Sequence, residues 1–237
     1  TAQGSKILSL QQCIIINCLI SAYIVRELGL YSILPLYSAL LSIKDGVTPA
    51  ASSSFCYLGW VIQGIMAPSH EAVEFARLGW KFAQQFSDPL YVSHSGIAIF
   101  TVLYFDEELG FSDIYEIYDE SRKAALLSHN LNTLVYLETN ITWAKIFYCC
   151  SVESILSTSL SSLNIIADYG KRESLAAVKG AYYFAYLLIH NKEPVLDASI
   201  DIDILSVPEA FQASYWMFLL QANYILGCDA EGQEVLD

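Results

Sequence analysis

Basic residues are scarce in this chain of 237 residues. Lys and Arg together number 12 against 25 Asp and Glu, which gives a formal net charge of −13 at pH 7. A nucleic-acid-binding face needs clustered Lys and Arg side chains, whereas these twelve are scattered and none follows Lys192. The charge balance therefore argues against a nucleic-acid partner.

Motifs for catalysis are also lacking. The sequence contains no GxxxxGK[ST] phosphate loop, no HExxH, no GxSxG and no dinucleotide-binding fingerprint. The four histidines lie on four different predicted helices or at their ends: His70, His94, His129 and His190. We therefore expect no chemistry, no cofactor and no metal in this chain. An enzyme that uses His94 or His129 is the remaining catalytic alternative.

The six cysteines show no CxxC spacing, and most of them sit within apolar runs. They are Cys13, Cys18, Cys56, Cys149, Cys150 and Cys228. This pattern is typical of small buried apolar side chains in a reducing compartment, so we expect a cytoplasmic protein.

Helical periodicity is clearest between Ser69 and Phe86. At about 100° per residue, one face of this segment is apolar and the opposite face is polar. The apolar face holds Ala72, Phe75, Ala76, Gly79, Phe82, Ala83 and Phe86, and the polar face holds Glu74, Arg77, Lys81, Gln84 and Gln85. Asp88-Pro89 then provides a cap residue and a proline suited to the first helical position. The helix predicted over 89–105 is almost entirely apolar, so the two helices read as the outer and inner members of a hairpin.

The same order of helices recurs further along the chain. Asp113 and Glu116 have the spacing of a capping box, a charged helix follows, and an apolar helix comes after a turn at 130–132. Aligning the two hairpins places Leu90 over Leu134. Breaks at Gly46, Asp88, Asn132 and Gly170 recur at intervals of about forty residues, the last interval being shorter than the two before it.

Two helices per unit of about forty residues is the pattern of an α-solenoid. We therefore predict an all-α fold, a right-handed α-solenoid of TPR-like hairpins with about ten helices, forming one domain over residues 1–237 of a longer chain. An ordinary helical bundle is the alternative.

Further helix limits are predicted at both ends of the chain. The first helix runs from Lys6 to Leu28 and stops at Gly29, and its partner covers 30–43. Ser206 and Glu209 form a second S-x-x-E capping box before the last helix.

Two uncharged runs raise a membrane alternative. Residues 7–25 and 46–70 carry no formal charge, and their lengths can span a bilayer. Both runs contain polar residues, such as Asn17 and Gln63, that membrane cores tolerate poorly. Inner helices of a solenoid explain them better, and a polytopic membrane protein stays the alternative.

Large aromatic residues occur at helical spacing throughout the predicted repeat. Most such residues pack between helices, but some can line a concave groove for a partner. The candidates are Tyr57, Trp60, Tyr91, Tyr136, Trp143, Tyr182 and Tyr186.

The segment from Leu40 to Tyr148 resembles the helical-repeat region of large hybrid sensor histidine kinases. One mark is a G-x-(S/T)-P…Y…G helix, and the other is the A-x-x-(F/L)-(A/G)-x-L helix after it. The matching residues are Gly46, Thr48, Pro49, Tyr57 and Gly59 in the first helix, and Ala72, Phe75, Ala76 and Leu78 in the second.

The resemblance implies a role in signal transduction. In that family a kinase-like domain and an AAA-type ATPase lie upstream, and GAF and histidine-kinase modules lie downstream. No catalytic residue of the family carries over to this chain. The implied function is a non-catalytic scaffold or sensory region that binds a protein or neighbouring domains of the same chain, and the alternative is a stand-alone TPR-like adaptor.

Overall fold

A computed structural model describes residues 28–66, 69–103, 109–169, 172–192, 194 and 203–226. Within these ranges every regular element is helical, so the all-α prediction is confirmed. The predicted first helix, Lys6 to Leu28, lies outside the described residues except for Leu28.

Nine α-helices and one 3-10 turn cover most of the described part. They are α1 (Leu28–Asp45), α2 (Pro49–Met66), α3 (His70–Phe86), α4 (Pro89–Leu103), α5 (Phe111–Leu127), α6 (Leu131–Phe147), α7 (Val152–Asp168), α8 (Arg172–His190), the 3-10 turn Ile204–Ser206 and α9 (Glu209–Leu226).

The helices begin at regular intervals. The starts of α1, α3, α5 and α7 lie about 41 residues apart, and so do those of α2, α4, α6 and α8, as in repeats built of two helices. This spacing is more even than that of the breaks read from the sequence. Helix α9 starts later in the sequence than this interval predicts, because residues 191–208 lie between α8 and α9.

Several helix ends follow the predicted local chemistry. Ser69 Oγ accepts a hydrogen bond from the N–H of Ala72 at 3.1 Å, and Asp88 Oδ1 accepts one from the N–H of Leu90 at 3.0 Å. Pro89 is the first residue of α4, where its missing N–H leaves no helical bond unmade. The cap and proline predicted at Asp88-Pro89 are therefore confirmed.

Two predicted capping boxes are wrong. Gly110 has extended backbone angles and is the N-cap of α5, so Asp113 is the third helical residue and its carboxylate accepts from the N–H of Gly110 at 2.9 Å. Ser206 belongs to the 3-10 turn, and its hydroxyl donates to the carbonyl of Asp203 at 2.6 Å instead of capping α9.

The predicted stop at Gly29 is also wrong, because Gly29 lies inside α1. A glycine ends a helix most effectively in the left-handed region. Gly46, with φ 107, takes that conformation directly after α1, and its N–H bonds the carbonyl of Ser42 at 3.1 Å.

The chain divides into two compact units, one ending at Leu134 and the other beginning at Val135, within α6. In the first unit α2 packs against α1, α3 and α4, while α4 also packs against α3 and α5. Phe55 of α2 lies against Phe75 and Phe82 of α3, with ring centroids 6.3 and 5.7 Å away.

Helix α3 buries the predicted face. Ala72, Ala76, Gly79 and Ala83 are buried, and Trp80 joins them although it was not among the predicted residues. Phe86, which closes the predicted apolar face, is 37% exposed because it is the last residue of the helix.

Glycines bring helix backbones close together in the first unit. A methyl carbon built on Gly79 of α3 would lie 2.6 Å from the backbone nitrogen of Cys56 in α2. One built on Gly59 of α2 would lie 3.0 Å from the nitrogen of Ala76 in α3. Each contact involves rigid helical backbone, so neither position has room for a side chain.

Apolar clusters join the helices of the second unit, and a further one packs Ile204 and Val207 against Ala176 and Tyr215. The first joins α6, α7 and α8 through Val135, Leu163, Ile166, Leu175, Val178 and Tyr182. The second joins α7, α8 and α9 through Ile155, Ala181, Phe184, Ala185, Leu187, Phe218 and Ala222. Gly180 of α8 allows the close approach of α9, because a methyl carbon there would lie 2.7 Å from Cα of Tyr215.

The cysteines are not uniformly buried. Cys56 is fully buried and donates to the carbonyl of Ala76 at 3.3 Å, as expected of a small core side chain. Cys149 is exposed because it occupies the left-handed turn after α6, with φ 50, so the buried prediction is wrong there. Cys150 is half-buried, and Cys13, Cys18 and Cys228 lie outside the described residues.

Across the described ranges, none of the helices has the length and apolarity needed to cross a bilayer.

The close approach of α2 and α3 predicts opposite effects for two glycines of α2. Gly59→Ala forces a methyl group against α3 and should lower the free energy of unfolding by about 1–3 kcal/mol. Gly64→Ala meets no atom within 4 Å, so it should raise stability by up to about 1 kcal/mol through helix propensity. Denaturant unfolding of the two variants measures both values, and equal effects would contradict the proposed tight contact.

Candidate functional site

The seven predicted groove residues all lie on the even-numbered helices. In the first unit, Tyr57 and Trp60 lie on α2 and Tyr91 lies on α4. In the second unit the remaining four are Tyr136 and Trp143 on α6 and Tyr182 and Tyr186 on α8. That they line one groove stays a prediction.

Burial separates these seven residues into two groups. Tyr57, Tyr91 and Tyr182 are less than 10% exposed and contribute mainly to packing. The other four keep part of their surface accessible: Trp60, Tyr136, Trp143 and Tyr186. A partner that binds exposed aromatic rings would contact this second group.

Two pairs among the seven are in direct contact. The rings of Tyr57 and Trp60 are stacked with centroids 5.7 Å apart, and those of Tyr182 and Tyr186 are 5.8 Å apart. Trp143 instead meets Phe218 of α9 edge-on at 6.3 Å. Such offset and edge-on geometries are those that aromatic rings prefer.

Helix α8 carries a row of rings that runs from the core to the surface. Tyr182, Tyr186 and His190 recur at every fourth position and therefore share one face. The ring centroids of Tyr186 and His190 are 4.3 Å apart, and His190 is exposed. Burial raises the pKa of Tyr182, and the neighbouring Tyr186 acts in the same direction. The row thus runs from the buried ring of Tyr182 through the half-buried ring of Tyr186 to the exposed ring of His190 at the end of α8.

Two charged side chains are buried in the second unit. Glu138 of α6 is 2% exposed and accepts a hydrogen bond from Ser162 Oγ of α7 at 2.8 Å. Lys179 of α8 is 5% exposed, and its Nζ lies 5.5 Å from the ring centroid of Tyr183. Buried charges persist only with such partners, because desolvation would otherwise disfavour them.

A cluster of polar side chains around Lys145 joins α6 to α7. Lys145 Nζ donates to Ser154 Oγ at 2.9 Å and to Thr158 Oγ1 at 2.5 Å. Burial lowers the pKa of Lys145, and nearby Cys150 opposes that change. These contacts satisfy a half-buried ammonium group and fasten the start of α7 to the end of α6.

Sequence reasoning missed this group, although a signal for it exists. Lys145 is the basic residue in the last turn of α6, and two hydroxyl residues four positions apart follow in the first turns of α7. Residues at that spacing share one helix face, so both hydroxyls can meet the same amine.

The two histidines considered for catalysis differ in environment. His94 of α4 is buried, and burial lowers its pKa to about 4. Its Nδ1 atom has no hydrogen-bond partner. A base of that pKa is weak at neutral pH, because catalytic pKa values usually lie near the working pH. His129 is exposed, in the left-handed turn after α5.

The outer side of α3 carries an open depression of about 490 Å³. The described residues that line it all belong to α3 and mix both charge signs with apolar surface: His70, Glu71, Glu74, Phe75, Arg77, Leu78 and Lys81. Within the described part of the chain, no group of three or more His, Cys, Asp or Glu side chains is placed to hold a metal ion.

Comparison of the chain with protein-family models, curated proteins and solved structures finds no match. A proposal of function therefore depends on the fold, on the sites described above and on the sequence resemblance of residues 40–148.

Burial of His94 predicts that stability falls as the pH is lowered below 6.5. In that range the unfolded chain binds a proton at His94 and the folded chain does not, because the folded pKa is about 4. This group alone should cost about 2 kcal/mol between pH 7 and pH 5.

The measurement is denaturant unfolding of the wild type and of His94→Leu at both pH values. The variant should lose about 2 kcal/mol less than the wild type over that interval. His70→Leu, at an exposed histidine, is the matched control and should follow the wild type. Equal pH dependence of His94→Leu and the wild type would contradict the prediction.

Proposed function

We propose that this chain is a non-catalytic, right-handed α-solenoid of TPR-like hairpins that serves a large hybrid histidine kinase as a scaffold or sensory region. In this proposal it works in the cytoplasm, binds a partner protein or neighbouring domains of the same chain, and passes the bound state to the kinase.

The observation that carries the proposal is the interval of the helix starts. Two alternating series of four helices repeat at about 41 residues, as expected when one helical hairpin is used again and again. Burial follows the same interval in the first unit. Pro35, Ser38, Ala39 and Ser42 of α1 are buried, and so are the residues one interval later in α3: Ala76, Gly79, Trp80 and Ala83.

The difference in burial between α4 and α5 also supports a role in binding a partner. Helix α4 is buried over most of its length, whereas α5 carries a charged, solvent-facing side. In a stack of hairpins each unit touches its neighbours, so binding at one interface shifts the population of arrangements at the next. In this proposal each unit has its own aromatic contact surface: Trp60 of α2 in the first unit, and Tyr136, Trp143 and Tyr186 of α6 and α8 in the second.

The family assignment is tested by the coding sequence on both sides of the chain. We expect a kinase-like domain and an ATPase phosphate loop upstream, and a histidine-kinase phosphoacceptor box downstream. Flanks without these domains would overturn the kinase assignment and favour a stand-alone TPR-like adaptor.

The role of the aromatic surface is tested in that full-length kinase with radiolabelled ATP as the probe. Tyr186→Ala should change the autophosphorylation rate about fivefold or more, the lower end of typical coupling between sites. Tyr224→Ala is the matched control, because this tyrosine is 81% exposed and lies on α9, outside the even-numbered series. Equal rates for both variants and the wild type would exclude a signalling role for this surface.

A further inference from the structure

The turns that follow α1 and α3 lie at one edge of the first unit. Ser53 Oγ of α2 is 3.3 Å from Ser95 Oγ of α4, and both serines belong to the first two turns of their helices. The two helices therefore begin at the same edge. The turns before them, which pass through the left-handed region at Gly46 and Ser87, lie at that edge too.

The turn after α5 joins the same edge. Gly96 of α4 packs against Ser121 of α5. One turn later in α4 but one turn earlier in α5, the ring centroids of Phe100 and Tyr118 are 6.3 Å apart, so the two helices run antiparallel. The last residue of α5, Leu127, is therefore level with the first turn of α4. Three turns thus form one edge, which we call the turn edge: residues 43–47, 86–90 and 126–131.

Large apolar side chains are exposed along the turn edge. Six of them are between 37% and 73% exposed: Ile43, Val47, Phe86, Leu126, Leu127 and Leu131. Turns are usually built from polar residues, because they lie in solvent. A side chain as exposed as Leu127, at 73%, gains little free energy from burial in its own chain. Contiguous exposed apolar surface of this kind typically marks an interaction site.

The apolar area of the turn edge matches what a second copy of the chain needs. A large apolar side chain offers roughly 150–200 Å² when fully exposed, so the six leave about 500 Å² in solvent at their exposed fractions. A stable dimer buries about 800 Å² on each partner, and about 65% of that area is apolar in homodimers. The turn edge alone therefore supplies the apolar area of a dimer interface.

Charge favours the same occupant. The chain has a net charge of −13, but the turn edge contains only one basic and two acidic side chains: Lys44, Asp45 and Asp88. Asp88 is used in capping, since its carboxylate accepts the N–H of Leu90. Two copies therefore meet here with little repulsion, whereas the net charge repels an anionic membrane surface. Lys44 and Asp45 are adjacent and exposed, so across a two-fold axis each can face its opposite charge on the other copy.

We propose that the turn edge of the first unit is the interface of a homodimer with two-fold symmetry. The apolar ends of three helical hairpins on one copy pack against the same ends on the other. Lys44 and Asp45 set the register of the two copies by pairing across the interface. This inference stands on the geometry of the first unit and does not depend on the assignment to a histidine kinase.

Sedimentation velocity of the full chain at micromolar concentrations tests the proposal. The wild type should be a dimer. Leu127→Glu should raise the dimer dissociation constant about thirtyfold or more, as the loss of a hot-spot residue does, because each copy then places a carboxylate in an apolar contact. Leu205→Glu is the matched control and should dimerise as the wild type does. Leu205 is also 73% exposed but lies in the 3-10 turn of the second unit.

An exchange of charges tests the register. Lys44→Asp should weaken the dimer, because like charges then face each other across the two-fold axis. Adding Asp45→Lys to that variant should restore the wild-type dissociation constant, since the two charges have only changed places. A double variant as weak as Lys44→Asp alone would contradict the proposed pairing.

Three outcomes would overturn the proposed interface. The first is a wild type that stays monomeric at every concentration, since the turn edge would then serve a different partner. The second is a wild-type dimer that Leu127→Glu leaves intact, and the third is equal weakening by Leu127→Glu and Leu205→Glu. If circular dichroism shows that Leu127→Glu does not fold, Ile43→Glu replaces it and is judged by the same outcomes. Ile43 is 72% exposed and belongs to a different hairpin of the turn edge.

Discussion

The closeness of neighbouring helices is the constraint on which the rest of the structure depends. In the first unit Gly79 meets the backbone of α2, and in the second Gly180 meets the backbone of α9. Helices this close leave little space between their axes, so the residues at the contact must be small. Ala72 and Ala76 are accordingly fully buried, while Phe55 and Phe82 fill the space beside the contact instead of within it.

The same constraint explains why so many hydroxyl groups are buried. Serine is small enough for a tight helix contact, and its hydroxyl can bond a carbonyl one turn earlier or a serine across the interface. Ser54 does both, because its Oγ donates to the carbonyl of Ala50 and lies 2.5 Å from Ser38 Oγ. Ser53 and Ser95 form a second pair between α2 and α4 at 3.3 Å. These bonds satisfy the buried polar atoms at little cost in volume.

Local signals predicted a large part of the fold. The polar and apolar faces of α3, the cap at Asp88 and the break at Gly46 follow from residues close in sequence, and the structure has them where they were expected. The interval of about forty residues was also visible, because the hairpin of α3 and α4 and that of α5 and α6 share the same polar and apolar order. The helical period of about 3.6 residues is clear in the sequence of α3 because one side of that helix remains in solvent.

The errors arose where one local pattern fits two positions. An Asp three positions before a Glu suits an N-cap, but Asp113 serves equally well as the third helical residue when Gly110 takes the cap. Ser206 fits a capping box in sequence, yet a hydrogen bond to Asp203 draws it into a 3-10 turn. The cluster around Lys145 could not be placed from the sequence, because its contacts require the angle at which α7 leaves α6. Tertiary geometry therefore decides which of several locally acceptable partners a polar side chain takes.

Exposed surfaces in this chain differ between the two kinds of helix. The even-numbered helices are buried on most sides, so their accessible surface includes the edges of half-buried rings such as Trp60 and Tyr186. The odd-numbered helix α3 offers charge, which water solvates well and which a partner must desolvate before binding. Helix α1 shares the position of α3 in the repeat but lacks that charge. An apolar outer face gains free energy from any apolar cover, whereas the charged outer face of α3 must first be desolvated.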